Sequence, residues 1–196
     1  MKNRILAISV SVFMLLAIAS IDDEPTSPTE SPTQPDSPSE SEAPETPTTS
    51  QTGQGSAFPE QFAFTAADIY GNQITEQSLG EKEVFFVYLW ATWCPPCLES
   101  MPKLASLSNE YKDRVGFLGL VSDFDSNASG AVNIVESAKL PNSFFMIDAN
   151  DPSVAALKDR VATGYVPAPA LVTVSGEVIN ISGEDYAKKL DEILAD

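Results

Sequence analysis

The chain has 196 residues, with 28 Asp and Glu against 11 Lys and Arg, no histidine, and a net charge of −17. A balance this acidic, with no basic stripe to meet phosphates, argues against nucleic acid as a partner and against a bare anionic membrane surface. With two cysteines and no histidine, a zinc site lacks its four ligands, so neither a metal nor a cofactor is expected.

Lys2 and Arg4 precede an apolar stretch over residues 5–19 that ends in Ala17-Ile18-Ala19. A basic start, an apolar centre and small residues two apart predict a signal peptide over residues 1–19, cut after Ala19. Extended to Ile21, the stretch approaches the roughly 20 residues of a bilayer span, so an uncleaved membrane anchor is the alternative. Either way, the remainder of the chain is expected to be extracytoplasmic. Residues 20–56 turn to Pro, Ser, Thr and acids, with eight acidic side chains and no basic one. Such a stretch holds too little apolar surface to offset ordering, and is expected to be a disordered linker, extended by its prolines. Residues 57–196 carry nine basic and twenty acidic side chains, leaving −11. They suffice for one domain with a single core, expected to be a monomer whose partners are neutral or basic proteins.

Within that domain, residues 58–64 and 73–75, joined through Ile69-Tyr70-Gly71-Asn72, predict a small hairpin. Residues 84–90, Val-Phe-Phe-Val-Tyr-Leu-Trp, form a continuous apolar run, as in a central strand covered on both faces. A helix should begin at the cysteines, since Leu98, Met101, Leu104, Ala105, Ser108 and Tyr111 recur at helical spacing, with Pro102 expected to kink it. Residues 115–121 read as the next strand, 131–138 as a short helix and 144–147 as a strand. Residues 152–162 read as a helix capped by Asp151 with Pro152 at its first position. Residues 170–174 and 177–181 around Ser175-Gly176 predict a hairpin, and 185–194 a closing helix. The alternation implies an α/β fold, a mixed sheet flanked by helices.

Both cysteines fall in Trp93-Cys94-Pro95-Pro96-Cys97. A disulfide between them would close almost no loop and so restrict the unfolded chain very little, which favours a working dithiol over a staple. Placed after a strand and at a helix start, the first sulfur meets unpaired backbone N–H groups and the positive end of the helix dipole. Both favour thiolate, the form that attacks disulfides. Pro95 and Pro96 contribute no N–H and fix φ, which stiffens the turn and tunes the pair.

Phe58-Pro59, the Tyr70-Gly71-Asn72 turn, and Leu89-Trp90-Ala91-Thr92-Trp93-Cys94-Pro95-Pro96-Cys97 with Met101-Pro102 beyond it resemble the TlpA/ResA-like extracytoplasmic thiol-disulfide oxidoreductases. The resemblance spans nearly all of residues 57–196, an insertion of about 20 residues near 123–143 included, and implies a thioredoxin-like fold with an N-terminal hairpin and a helical insertion. It implies catalysis by Cys94, at an exposed helix start, forming a mixed disulfide with the substrate, and by Cys97, more buried, resolving it. It assigns Pro167 as a cis-proline opposite the cysteines, with Pro169 the competing candidate. Val166 would offer backbone to an incoming peptide and Trp93 a flat apolar contact. The implied partners are protein disulfides and a membrane electron donor, with cytochrome c maturation or oxidative-damage repair as destinations.

One position departs from the family. Where a buried glutamate often serves the resolving sulfur, this chain has Ser100, with Glu99 beside it and Tyr88 where thioredoxins bury an acid. Slower or pH-shifted exchange is expected. Two readings stand beside the reductant: an oxidant of the same fold, since direction depends on redox poise, and a non-enzymatic surface module whose cysteines form a structural disulfide.

Overall fold

The computed structural model describes residues 57–183 and 185–195; the leader expected over residues 1–19 and the linker over 20–56 lie outside the described residues. Among the described residues, seven strands and four α-helices occur in the order β1 (Thr65–Ala67), β2 (Gln73–Thr75), β3 (Val84–Trp90), α1 (Pro95–Tyr111), β4 (Val115–Val121), α2 (Phe124–Ser137), β5 (Phe144–Asp148), α3 (Ala155–Val161), β6 (Ala168–Thr173), β7 (Val178–Asn180) and α4 (Tyr186–Leu194).

The five-stranded sheet runs β5-β4-β3-β6-β7. β3, β4 and β5 are parallel, while β6 runs antiparallel to β3 and β7 to β6. Every residue of β3 is buried, because its alternate side chains serve two cores, as a central strand demands. Val84, Phe86, Tyr88 and Trp90 face one cluster, with Leu104 of α1, Val135 of α2 and Leu190 of α4. Phe85, Val87 and Leu89 face the other, with Phe58, Leu157 of α3 and Val172. Each fully buried aromatic of this strand is a site where truncation to alanine costs about 3–5 kcal/mol. Gly119 of β4 permits a close approach of β5: a Cβ there would run into the Met146 sulfur.

The closing helix is held at its end as well as along its face. Asp185 caps it, its side chain accepting from the Lys188 N–H at 3.2 Å. Tyr111 of α1 donates to Asp191 at 2.6 Å, which pushes the phenol up to about 12. Arg114 forms a forked pair with Glu83 at 2.6 Å and reaches the Leu194 carbonyl at 2.8 Å.

Three expected elements move. Residues 58–64 are not a strand: Glu60–Phe62 make a 3-10 turn after Pro59, which directs Phe58, Phe62 and Phe64 into the core, and pairing begins only at Thr65. The insertion helix starts at Phe124 rather than 131, with a break at Asn127 (φ −149°, ψ 48°). The helix expected over 152–162 opens as a 3-10 turn, Pro152–Val154, with the Asp151 side chain accepting from the Ser153 N–H at 2.8 Å, before α3 begins. α1 continues through Pro102, whose ring nitrogen cannot give the Leu98 carbonyl its usual helical bond.

Candidate active site

β3 ends at the edge where the site is built. Cys94 donates its N–H to the Ala91 carbonyl at 3.2 Å, closing a turn that delivers the chain into α1. Proline disfavours helical geometry in the residue before it, and Cys94 is extended (φ −95°, ψ 102°), the conformation of a helix cap. Of the amides that begin α1, Pro95 and Pro96 have none to offer, and Leu98 donates to the Cys94 carbonyl at 3.1 Å. That leaves the Cys97 N–H, which donates to the Cys94 sulfur at 3.3 Å. The sulfur of Cys94 is the cap of its own helix.

Cys94 and Cys97 are joined by a disulfide with Cα atoms 5.3 Å apart. The expectation of an exposed Cys94 needs correcting: it is 2 % exposed and Cys97 fully buried, both inside the core cluster beneath α1. Capping draws the sulfur in toward the amide, and the surface is left to Pro95, Pro96 and Trp93, the last 69 % exposed. The peptide bond between Val166 and Pro167 is cis; Pro169 is trans and lies in β6, paired with Tyr88. Its carbonyl accepts from Ile181 at 2.9 Å, so its donorless nitrogen faces the β7 side and leaves the ladder to β3 intact. Because Ala168 pairs with Leu89, the register carries Pro167 to the level of Trp90, beside the start of the cysteine turn.

Pro96, Ser100, Tyr165 and Pro167 line one cleft, of about 280 Å³. It brings the cysteine helix and the cis-proline together, and it adds Tyr165, 71 % exposed, which sequence reasoning missed for want of any motif around it. On the other flank of α1, Leu98, Met101, Pro102 and Ile134 line an apolar groove of about 370 Å³. A larger cleft, about 660 Å³, lies between the N-terminal hairpin and the end of α2, lined by Tyr70, Glu136 and Lys139 among others. It holds none of the expected site residues.

The positions that stand near the absent family glutamate divide. Glu99 is exposed, and the Ser100 hydroxyl, buried, donates to the Pro96 carbonyl at 2.9 Å, closing on its own helix. Tyr88 is fully buried, its hydroxyl 3.5 Å from the Cys97 carbonyl. Among the described residues no cluster of three or more Cys, Asp or Glu is arranged to hold a metal.

A further network was not expected from the sequence. Past the last rung of the β3–β4 ladder, Ser122 N–H to Trp90 carbonyl at 2.9 Å, a parallel ladder would next join the Thr92 N–H to the Ser122 carbonyl. Instead Asp123 accepts from the Thr92 N–H at 3.0 Å and from its hydroxyl at 2.5 Å, and the Ser122 carbonyl takes the Asn150 side chain at 3.2 Å. Asn127 donates its side-chain amide to the Thr92 hydroxyl at 2.8 Å.

Comparison with known proteins agrees with this geometry. The Redoxin family profile matches residues 53–193. The chain is 31% identical over 134 residues to the thiol-disulfide oxidoreductase ResA of Bacillus thuringiensis subsp. konkukian, covering 67% of this chain and 72% of that one. Among solved structures, a putative thioredoxin from Neisseria meningitidis superposes with a TM-score of 0.54 at 25% identity, covering 72% of this chain and 90% of its own. A secreted Mycobacterium tuberculosis disulfide oxidoreductase homologous to E. coli DsbE superposes with the same TM-score, 0.54, at 19% identity, covering 69% and 97%, and shares the fold. A cysteine pair capping a helix beside a cis-proline, on a sheet of this order and with these relatives, places the chain in the Redoxin family, among the TlpA/ResA-like thiol-disulfide oxidoreductases of thioredoxin-like fold.

Proposed function

We propose that this domain works outside the cytoplasm as a reductant of protein disulfides, with Cys94 attacking and Cys97 resolving. The Cys94 thiolate attacks one sulfur of the substrate disulfide, forms a mixed disulfide and releases the first substrate thiolate, which takes a proton from water. The Cys97 thiolate then attacks the Cys94 sulfur and releases the second substrate thiol, leaving the domain oxidised by two electrons. Val166 and Pro167 present backbone to the substrate, and Trp93 gives it an apolar face. A dithiol donor at the membrane restores the reduced pair by the reverse exchange.

The observation that carries the reducing direction is the single amide on the Cys94 sulfur. Strong oxidants of this chemistry are those whose thiolate is heavily stabilised, which makes the dithiol form the stable one. Here one of the two amides within a cap side chain's reach, at the second helical residue, is replaced by the Pro96 nitrogen, and the chain has no histidine to lend a positive charge. The thiolate is therefore weakly held, the disulfide is the more stable state, and the pair gives electrons away.

The address belongs to the same proposal: residues 1–19 export or anchor the chain, and residues 20–56 are the linker to the domain. Apocytochrome c or oxidatively damaged proteins are the substrates this placement favours. The test is the reduction potential of Cys94-Cys97, equilibrated with glutathione and dithiothreitol buffers and read by thiol alkylation. A value near or below roughly −270 mV is expected; one near −120 mV marks an oxidant and ends the reducing reading. A disulfide that mild reductants leave intact would make it a structural link.

A further inference from the structure

We propose that Asp123 and Asn127, at the start of the inserted helix α2, are positioning residues for the attacking cysteine, acting through Thr92. The inference rests on the oxidoreductase reading above. Thr92 lies two residues before Cys94, on the turn that no strand partner holds. Three side-chain bonds replace the missing ladder there: both Asp123 carboxylate oxygens on Thr92, one at its amide and one at its hydroxyl, and the Asn127 amide on the same hydroxyl. Thr92 is 9 % exposed, so these bonds work with little competition from water.

The helix is shaped around this contact. Asn127 leaves helical geometry inside α2, so the chain breaks where its side chain meets Thr92. Gly130 completes the fit, since a Cβ there would collide with the Asn127 side-chain amide. One residue type at 130 leaves room for the Asn127 side chain, and that side chain reaches the cysteine turn. The turn must hold the Cys94 sulfur in line with an incoming disulfide, and misplacement by about 1 Å can slow a reaction by about 100-fold.

The test measures the rate at which the reduced full-length protein forms a mixed disulfide with oxidised glutathione, in wild type, Thr92→Val, Asp123→Ala, Asp123→Asn and Gly130→Ala. In this exchange the Cys94 thiolate expels one glutathione as thiolate and Cys97 expels the second, so dithiol plus glutathione disulfide becomes protein disulfide plus two glutathione thiols. Thr92→Val and Asp123→Ala are expected to slow the first step about tenfold. Asp123→Asn, which can still accept at the Thr92 amide, is expected to recover most of the rate. Gly130→Ala introduces a better helix former, pushes the Asn127 amide aside, and is expected to slow exchange with no loss of thermal stability in the oxidised form. Rates within twofold of wild type in Thr92→Val, Asp123→Ala and Gly130→Ala, with wild type exchanging normally, overturn the inference alone. A wild-type dithiol that does not exchange at all overturns the oxidoreductase reading, and the inference with it.

Discussion

Replacing Pro96 by alanine tests the account of the redox pair at one atom. Pro96 is the second residue of α1, and a cap side chain accepts from the amides of the second or third helical residue. Only the third, Cys97, reaches the Cys94 sulfur now, at 3.3 Å. Alanine adds an N–H at the second. A hydrogen bond to a charged group contributes about 1.5–3 kcal/mol; at the lower end of that range, the Cys94 pKa should fall by about one unit. At pH above the Cys94 pKa, where the reduced form is the thiolate, the same free energy stabilises the reduced state, so the disulfide becomes the better oxidant and its potential, measured there, rises by about 30 mV. Glutathione equilibration gives the potential, and the pH dependence of alkylation by iodoacetamide gives the pKa. Pro95→Ala is the control: the amide of the first helical residue does not reach the cap side chain, and its shift should be less than half as large. A Pro96→Ala protein with both quantities unchanged, or with the potential lowered, refutes the claim that amide supply sets the poise of this pair.

Gly119→Ala drives a methyl into the Met146 sulfur and to 3.5 Å from the indole nitrogen of fully buried Trp90; overpacking of this kind should cost about 1–3 kcal/mol in urea unfolding, and an unchanged midpoint would show that the layer is looser than described. Asp148→Asn tests the acidic end of β5, where burial first, and then the neighbouring Asp125 and Asp151 charges, push the Asp148 carboxyl above its ordinary value against the pull of the Asn150 amide. A folded value above the unfolded one stabilises the fold at pH below the ordinary carboxyl range, and that stability is lost as pH climbs through the raised value. The asparagine variant should therefore be the more stable one at neutral pH and should lose that limb of the pH profile, as urea midpoints at acid and neutral pH would show; parallel profiles refute it.

The sequence made the centre of this molecule legible because two signals there are nearly free of context. Seven consecutive apolar residues from Val84 to Trp90 have no home but a strand buried on both faces. The only two cysteines, three positions apart after that strand, leave little but a disulfide at a helix start. Elsewhere local pattern lost to tertiary contact. Phe58, Phe62 and Phe64 read as part of a strand, yet each plugs the core from a turn set by Pro59. Residues 124–130 fall outside the helix expected from 131; they join α2, broken at Asn127, and Asp123 and Asn127 anchor the segment to Thr92, a partner 31 and 35 residues away that no local pattern encodes. The burial of Cys94 escaped for a similar reason, since a helix start is usually wet, and only the count of available amides explains why this sulfur turns inward.

That inward turn has a kinetic meaning. With 2 % of Cys94 and none of Cys97 reaching the surface, small thiols and oxidants meet Trp93 and two proline rings first and reach the sulfur slowly. A partner that fits against this rim well enough to draw the sulfur out exchanges electrons faster. Access then sets how fast each partner trades with the pair, while driving force sets which way the electrons go.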